Sequence, residues 1–170
     1  MDANDLRELQ GPLKQRYRED PTTARTPLRA SGTFADDGVT ATVQTWSGPV
    51  RAGLHSATGG DGAEACSGDM LLQAVLACAG VTLRSVATAL GVDVRNGRLS
   101  AEGWFDARGT LGVSREVPVG VQEIHIVAEL DSDADDDQLD RLKALTERYC
   151  VVAQSLATVP RLTVRRHPGY

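Results

Sequence analysis

The stretch at residues 69–90, DMLLQAVLACAGVTLRSVATAL, decides the fold. As a helix it would extend about 33 Å, at about 1.5 Å per residue, which is enough to cross a small domain. Apolar residues occur on almost every side of it, and such a helix is expected to be buried all round. Its longest unbroken apolar run, residues 74–81, is too short for a membrane span, which needs about 20 residues. The sequence therefore predicts a buried central helix that carries Cys78.

The flanking residues mark where this helix begins and ends. A glycine-rich loop at residues 59–62 precedes it. Ser67 is the predicted N-cap, and Asp69 falls in the first turn, where the helix dipole favours a carboxylate. Gly91 is placed to end the helix, because glycine adopts the left-handed conformation that commonly follows a last turn. We thus expect a central helix over residues 67–90.

The rest of the chain separates into runs of helix and runs of strand. Residues 1–20 show a helical stripe, with Pro12 expected at the start of a helical segment. Alternating apolar residues predict three strands over residues 27–56, with a turn at residues 36–38, and two strands over residues 97–130. A helical region at residues 136–157 and a short last strand complete the chain.

Strands that follow one another, rather than alternate with helices, are typical of the α+β class. We therefore expect a single domain, residues 1–170, with an antiparallel sheet wrapped around the long buried central helix. Such a sheet covers only one side of the helix. Ala77, Ala79 and Gly80 are small enough to let another backbone approach, so a second copy of the helix is expected to cover the other side. The sequence accordingly predicts a homodimer.

Composition excludes several functional classes. The net charge of −5 argues against nucleic-acid binding, which needs a basic surface. No apolar secretory segment occurs near the N-terminus, which predicts a cytoplasmic protein with no membrane partner. In a reducing compartment the three cysteines are expected as free thiols. There is no CxxC pair and the histidines lack zinc-ligand spacing, so no metal is expected.

The cysteines are the candidate chemical groups. Considered singly, Cys78 and Cys150 are most simply inert buried thiols, because free cysteine behaves as a small hydrophobe. A reactive Cys78 needs a cation folded back from elsewhere in the chain, since it lies well past the helix start. Cys66 directly precedes the helix, where the dipole favours a thiolate, but it lies in an exposed loop. His125 is expected on the strand face that lies away from the core, either solvated or paired with a residue of a neighbouring strand.

Two segments resemble the OsmC/Ohr family of hydroperoxide-reducing proteins. The sequence GGDGAEACSGDMLLQAVLACAGVTLRSVATALGV, residues 59–92, is similar to the family's glycine-rich loop and cysteine-bearing core helix. The sequence ERYCVVAQSLA, residues 147–157, is similar to its second motif, in which a cysteine precedes Pro-Val-Ser. Both cysteines fall where the family places its pair, and the order of elements agrees along nearly the whole chain.

The resemblance implies a fold and an activity. It implies an intertwined homodimer with its active sites at the interface. It also implies that a Cys78 thiolate attacks an organic hydroperoxide and becomes a sulfenic acid, and that Cys150 resolves this acid to a disulfide. A cellular dithiol would then reduce the disulfide. The family's chemistry needs no cofactor and no metal.

The same resemblance suggests further site residues and shows where this chain departs from the family. Asp69 stands where the family has an activating glutamate, and Arg29 and Arg51 are candidates for its arginine partner. His55 precedes the glycine-rich loop and is a candidate to line the substrate site with Arg51. The proline and serine after the second cysteine are replaced by Val151 and Ala153.

Three functions are therefore open at this point. The first is a thiol-dependent peroxidase, an oxidoreductase that protects against oxidative stress. The second is a non-catalytic ligand binder or redox sensor that uses the same dimer-interface pocket. The third is an inert dimer with buried cysteines. The peroxidase is expected to consume peroxide catalytically. The ligand binder or sensor is expected to be oxidised once at Cys78 or not at all, and the inert dimer is expected to have an unreactive Cys78.

Overall fold

The helices and strands of the chain come in the order expected for the α+β class. The computed structural model describes residues 1–35 and 37–167. Its helices are α1 Ala3–Glu19, α2 Ser67–Leu90, α3 Ala107–Thr110, α4 Asp136–Tyr149 and α5 Val151–Gln154. Its strands are β1 Gly32–Thr33, β2 Ala41–Thr45, β3 Gly48–Gly53, β4 Ala65–Cys66, β5 Asn96–Trp104, β6 Gln122–Asp131 and β7 Arg161–Arg166.

The central helix α2 begins and ends as the flanking residues suggest, with one difference. The N-cap is Cys66 rather than Ser67, and no side chain caps the first turn. The chain enters the helix from β4 in an extended conformation, so the change to helical geometry falls one residue earlier. Gly91 has a φ of 67° and its N–H bonds to the carbonyls of Ala87 and Thr88. A side chain is strained at this φ, which explains the glycine.

The strands form two sheets, and neither is purely antiparallel as the sequence suggested. One sheet has the order β1-β2-β3-β4, and the other has the order β5-β6-β7. The pairs β3-β4 and β6-β7 are parallel. In the second sheet the connection from β6 to β7 contains α4 and α5, and a crossover of this kind is what parallel neighbours require.

The described core lies between α2, α4 and the second sheet. In β6, Ile124, Ile126, Ala128 and Leu130 alternate with partly exposed residues, as a strand with one buried face should. These side chains share one apolar cluster with side chains from the two helices. From α2 the cluster takes Val75, Ala79, Leu83, Val86 and Ala87, and from α4 it takes Leu139 and Leu142.

The N-terminal third differs most from the expected pattern. Helix α1 runs through Pro12 without ending, so proline lies inside the helix rather than at its start. Strand β1 is only two residues long, and Leu28, which was expected in this strand, lies before it and is 87% exposed. Asp36 of the predicted turn lies outside the described residues. Among the described residues, none before Val75 is buried.

Helix α2 is less buried in the single chain than its composition predicts. Its buried side chains lie on the faces toward α4 and the second sheet, whereas Val81 on another face is 73% exposed. By length and composition alone α2 could cross a membrane, with a mean hydropathy of 1.6 in its most apolar window. The core helix of a soluble domain passes the same test, and α2 contributes to the core here.

Candidate functional site

Two cysteines that are far apart in sequence meet where α2 passes the junction of α4 and α5. Cys78 lies in the middle of α2, and Cys150 is the residue between α4 and α5. The backbone N–H of Val152, in the first turn of α5, donates to the Cys78 sulfur at 3.5 Å. The thiol of Cys150 also hydrogen-bonds to Cys78. The predicted cysteine pair is therefore brought together within one chain, and both thiols are free.

The surroundings of Cys78 favour its thiolate. Burial of the sulfur raises its pKa, but hydrogen bonds to the sulfur outweigh this effect. The donors are the N–H of Val152, the Cys150 thiol, the Thr82 hydroxyl and the N–H of Val151. The pKa of Cys78 consequently lies below its usual range. These donors are all neutral, so neighbouring dipoles do what the sequence analysis assigned to a cation.

The surroundings of Cys150 favour its protonated thiol. Cys150 is only 1% exposed, and this burial is the main cause that raises its pKa. The N–H of Ala153 opposes the effect, while the neighbouring Cys78 sulfur adds to it. The two sulfurs are thus unequal: Cys78 is suited to act first as a nucleophile, and Cys150 is suited to remain protonated until then.

Asp69 and Cys66 lie well away from this pair within the same chain. Asp69 is exposed in the first turn of α2, about 13 Å from Cys78 along the helix axis at about 1.5 Å per residue. Cys66 is about 18 Å away by the same measure, which exceeds the reach of a disulfide. The position of Cys66 beside the site in sequence therefore does not place it beside Cys78 in the chain.

Arg51 is engaged with other partners in the first sheet. Its Nε lies 3.5 Å from a carboxylate oxygen of Glu64, and its Nη2 donates to the carbonyl of Asp37 at 2.9 Å. Together with the glycine-rich loop these residues line a groove of about 320 Å³. Arg29, the other candidate arginine, lies in the exposed unpaired segment before β1.

His55 lies at the end of a strand and contacts an aromatic ring. Its Nδ1 accepts a hydrogen bond from the N–H of Ala57, which starts a short 3-10 turn. The His55 ring meets the Phe105 ring edge-on, with centroids 5.2 Å apart. Phe105 lines an open groove of about 660 Å³ with Trp104, Arg108 and the loop before β6. The structure thus associates His55 with this groove.

The sequence analysis missed the donors that act on Cys78. Thr82 is one helical turn after Cys78, and side chains at this spacing are neighbours, so its hydroxyl could have been identified from the pattern. The N–H groups of Val151 and Val152 carry no side-chain signature. Only the position of a helix start directly after Cys150 indicates them.

No cluster of metal-binding side chains occurs in the part of the chain that the structure describes. The arrangement that is present consists of one thiol with a lowered pKa, one buried thiol in contact with it, and neutral donors around the first. Chemically, such a pair can pass through a sulfenic acid to a disulfide and back.

Comparison with known proteins identifies the family. The family model described as OsmC-like protein matches residues 60–165, which include both cysteines of the pair. A search of the curated proteins finds no match to this chain.

Several solved structures share the fold at low sequence identity. An OsmC-like protein from Vibrio cholerae is 13% identical, with a TM-score of 0.67 over 82% of this chain and 99% of that one. An organic hydroperoxide resistance protein from Elizabethkingia anophelis is 12% identical, with a TM-score of 0.65 over 85% and 99%. The organic hydroperoxide resistance protein OsmC from Legionella pneumophila is 14% identical, with a TM-score of 0.61 over 84% and 98%. With a family match over more than half of its length and this shared fold, the chain belongs to the OsmC-like protein family.

Proposed function

We propose that this protein reduces organic hydroperoxides with Cys78 as the attacking thiolate and Cys150 as the resolving thiol. The observation that carries the proposal is the unequal sulfur pair, in which hydrogen-bond donors lower the pKa of Cys78 and burial raises that of Cys150. Two of the structures with this fold belong to proteins described as organic hydroperoxide resistance proteins. A role in oxidative-stress defence agrees with the unequal sulfur pair and with these descriptions.

The proposed reaction has three balanced steps. The Cys78 thiolate attacks the terminal oxygen of the hydroperoxide, so that an S–O bond forms, the O–O bond breaks and the alcohol leaves after taking a proton. The Cys150 sulfur, as a thiolate, then attacks the sulfenic acid of Cys78. The S–S bond forms and hydroxide leaves, which takes a proton to become water. A cellular dithiol reduces the disulfide by exchange and is itself oxidised.

We further infer that the active form is a homodimer. The single chain exposes 11,938 Å², whereas a folded monomer of this mass is expected to expose about 8,100 Å². The excess, on the order of 3,800 Å², is larger than one partner loses in a standard interface, about 800 Å². The N-terminal third without buried side chains and the exposed face of α2 are the surfaces available for this contact.

The dimer also accounts for the positions of the remaining candidate residues. Within one chain, Asp69 lies about 13 Å from Cys78 along α2, and Arg51 and His55 are held by other contacts. We propose that Asp69, Arg51 and His55 serve the sulfur pair of the partner subunit across the interface. We place the reaction in the cytoplasm, where thiol reductants keep the pair in its reduced starting form.

The decisive experiment measures peroxide consumption by the whole chain. With dithiothreitol as reductant and cumene hydroperoxide as substrate, the wild type should consume many equivalents of peroxide per chain. Cys78→Ser should abolish this turnover while circular dichroism shows a folded protein. Cys66→Ser is the matched control, and it should retain turnover because the proposed reaction uses only the sulfurs of Cys78 and Cys150.

A redox sensor is the second candidate, because every donor at Cys78 is neutral and no charged residue of the same chain acts on its sulfur among the contacts described. A sensor would be oxidised once per chain and would show no turnover. Wild-type consumption limited to one equivalent of peroxide would therefore contradict the peroxidase proposal and support the sensor.

A further inference from the structure

Thr146 is a buried residue that the reaction outlined above does not use. It lies on α4 and is 1% exposed, among the largest fully buried side chains of the chain. Its hydroxyl has no hydrogen-bond partner among the described residues, not even the carbonyl one turn earlier. A buried hydroxyl without a partner is costly to a fold, and valine would fill the same volume without that cost. The presence of threonine rather than valine at this position therefore suggests a functional role for the hydroxyl.

The neighbour of Thr146 on the helix is Cys150. The two residues are one helical turn apart, and the N–H of Cys150 donates to the Thr146 carbonyl at 3.0 Å. Both residues line the same small cavity, which has a volume of only about 10 Å³. The rest of its lining is largely apolar and includes Ala79, the residue after Cys78, and Ile126, Ala153 and Leu162.

This cavity isolates the two polar groups from solvent. In such surroundings a charged sulfur is strongly disfavoured unless a donor reaches it. The resolving step nevertheless requires Cys150 to lose its proton before it can attack the oxidised Cys78. The Thr146 hydroxyl, one helical turn away, is a donor that has no hydrogen-bond partner while both cysteines are reduced.

We propose that Thr146 is a positioning residue for the resolving step, whose hydroxyl donates a hydrogen bond to Cys150 when that sulfur becomes a thiolate. This inference rests on the proposed role of Cys150. The hydroxyl keeps its proton throughout. The S–S bond forms as the S–O bond of Cys78 breaks, and the proton lost by Cys150 is balanced by the one that converts the leaving hydroxide to water.

The first test observes Cys150 without any peroxide. In a chain carrying Cys66→Ser and Cys78→Ser, Cys150 is the only thiol, because the sequence holds three cysteines. Thiolate absorbance in the ultraviolet then reports its titration. Adding Thr146→Val should move the midpoint up by about one pH unit, since a hydrogen bond to a charged acceptor contributes about a tenfold change in the equilibrium. Thr146→Ser, which keeps the hydroxyl, should leave the midpoint near its starting value.

The second test observes the resolving step in the chain with all three cysteines. After one equivalent of cumene hydroperoxide, Thr146→Val should form the Cys78–Cys150 disulfide about tenfold more slowly, while the sulfenic acid appears at the wild-type rate. Thr146→Ser should form the disulfide at close to the wild-type rate.

The role of the hydroxyl would be overturned if Thr146→Val and Thr146→Ser changed the Cys150 titration or the rate of disulfide formation equally. It would also be overturned if Thr146→Val left the titration midpoint unchanged. The first test could show the shifted midpoint while the wild type shows no peroxide turnover. This result would support the hydrogen bond from Thr146 to Cys150 and would overturn only the peroxidase function.

Discussion

At the scale of single residues, Cys78 and Cys150 show how one residue type acquires two behaviours. Both sulfurs are partly or fully removed from water, which by itself raises the pKa of each. Cys78 differs because four donors converge on it, and together they reverse the effect of burial. The difference therefore lies in hydrogen bonding as well as in depth of burial, because Cys150 is buried and Cys78 is only half-buried.

Thr82 offers a direct test of this explanation. Thr82→Val removes one hydroxyl donor while keeping the shape of the side chain, so the pKa of Cys78 should rise. We expect alkylation of Cys78 by iodoacetamide at neutral pH to slow by about tenfold, since a hydrogen bond to a charged acceptor contributes about 1.5 kcal/mol. The half-maximal rate should move to higher pH, and mass spectrometry of the Cys78 peptide measures both.

Thr88→Val is the matched control on the same helix. The Thr88 hydroxyl donates to the carbonyl of Arg84 at 2.9 Å and lies about 15 Å from Cys78 along the axis. An equal slowing in the two variants would show that the helix, not the Thr82 donor, determines the reactivity of Cys78.

At the scale of elements, α5 is a single turn of helix with a specific task. Its first N–H groups have no partner within the helix, as at any helix start. That of Val152 donates to the Cys78 sulfur at 3.5 Å, and that of Val151 makes a smaller contribution to the lowered pKa of Cys78. Cys150 directly precedes this turn in an extended conformation, with φ −73° and ψ 98°. One short element thus holds the resolving sulfur and supplies donors to the attacking one.

This geometry predicts the effect of a proline at the start of α5. Val151 is the first residue of the helix and is 63% exposed, and Cys150 before it is already extended, so Val151→Pro fits both positions. The variant should raise the free energy of unfolding by about 0.4–1 kcal/mol, because proline reduces the entropy of the unfolded chain and the lost Val151 N–H contributes least among the four donors to Cys78. It should also raise the pKa of Cys78 slightly, because one N–H donor is lost.

Urea unfolding and the pH dependence of Cys78 alkylation measure the two effects. Val151→Ala is the control that shortens the side chain and retains the N–H. A loss of stability in Val151→Pro beyond that of Val151→Ala would show that α5 does not have the geometry described.

At the scale of the whole molecule, the exposed apolar surface is the feature that one chain does not explain. Val81 on α2 is 73% exposed although its helix forms the core. Ala74 and Ala77 lie on the same exposed face, where small side chains permit close approach of a second helix. The second sheet and α4 pack against the opposite side of α2, so this exposed face is available to the proposed second subunit.

Val81→Arg tests this surface. Placing a charge at the centre of the proposed interface should shift the protein from dimer to monomer at micromolar concentration, because a buried unpaired charge costs several kcal/mol. Sedimentation velocity measures the change. Ala144→Arg is the matched control, since Ala144 is an exposed apolar residue on α4, outside the surfaces proposed for the interface, and its change should leave the dimer intact. A wild type that sediments as a folded monomer would contradict the dimer.

The sequence by itself determined the order of elements and the limits of the central helix. Helical and strand periodicity are local properties of the sequence. The glycine that ends the central helix at Gly91 and the loop that precedes it at Ser67 are also local features, so the elements and the helix limits could be predicted without tertiary contacts. The meeting of Cys78 with Cys150 was predicted only through the resemblance of the two cysteine-bearing segments to the motifs of the OsmC/Ohr family.

Only the tertiary structure decided how the pieces pair and which sulfur carries charge. The parallel pairing of β6 with β7 depends on where α4 returns the chain, which no strand pattern records. The exposure of Val81 depends on what packs against α2. The lowered pKa of Cys78 depends mainly on the N–H of Val152, and every residue except proline has such a group, so its position in space and not its identity makes it a donor.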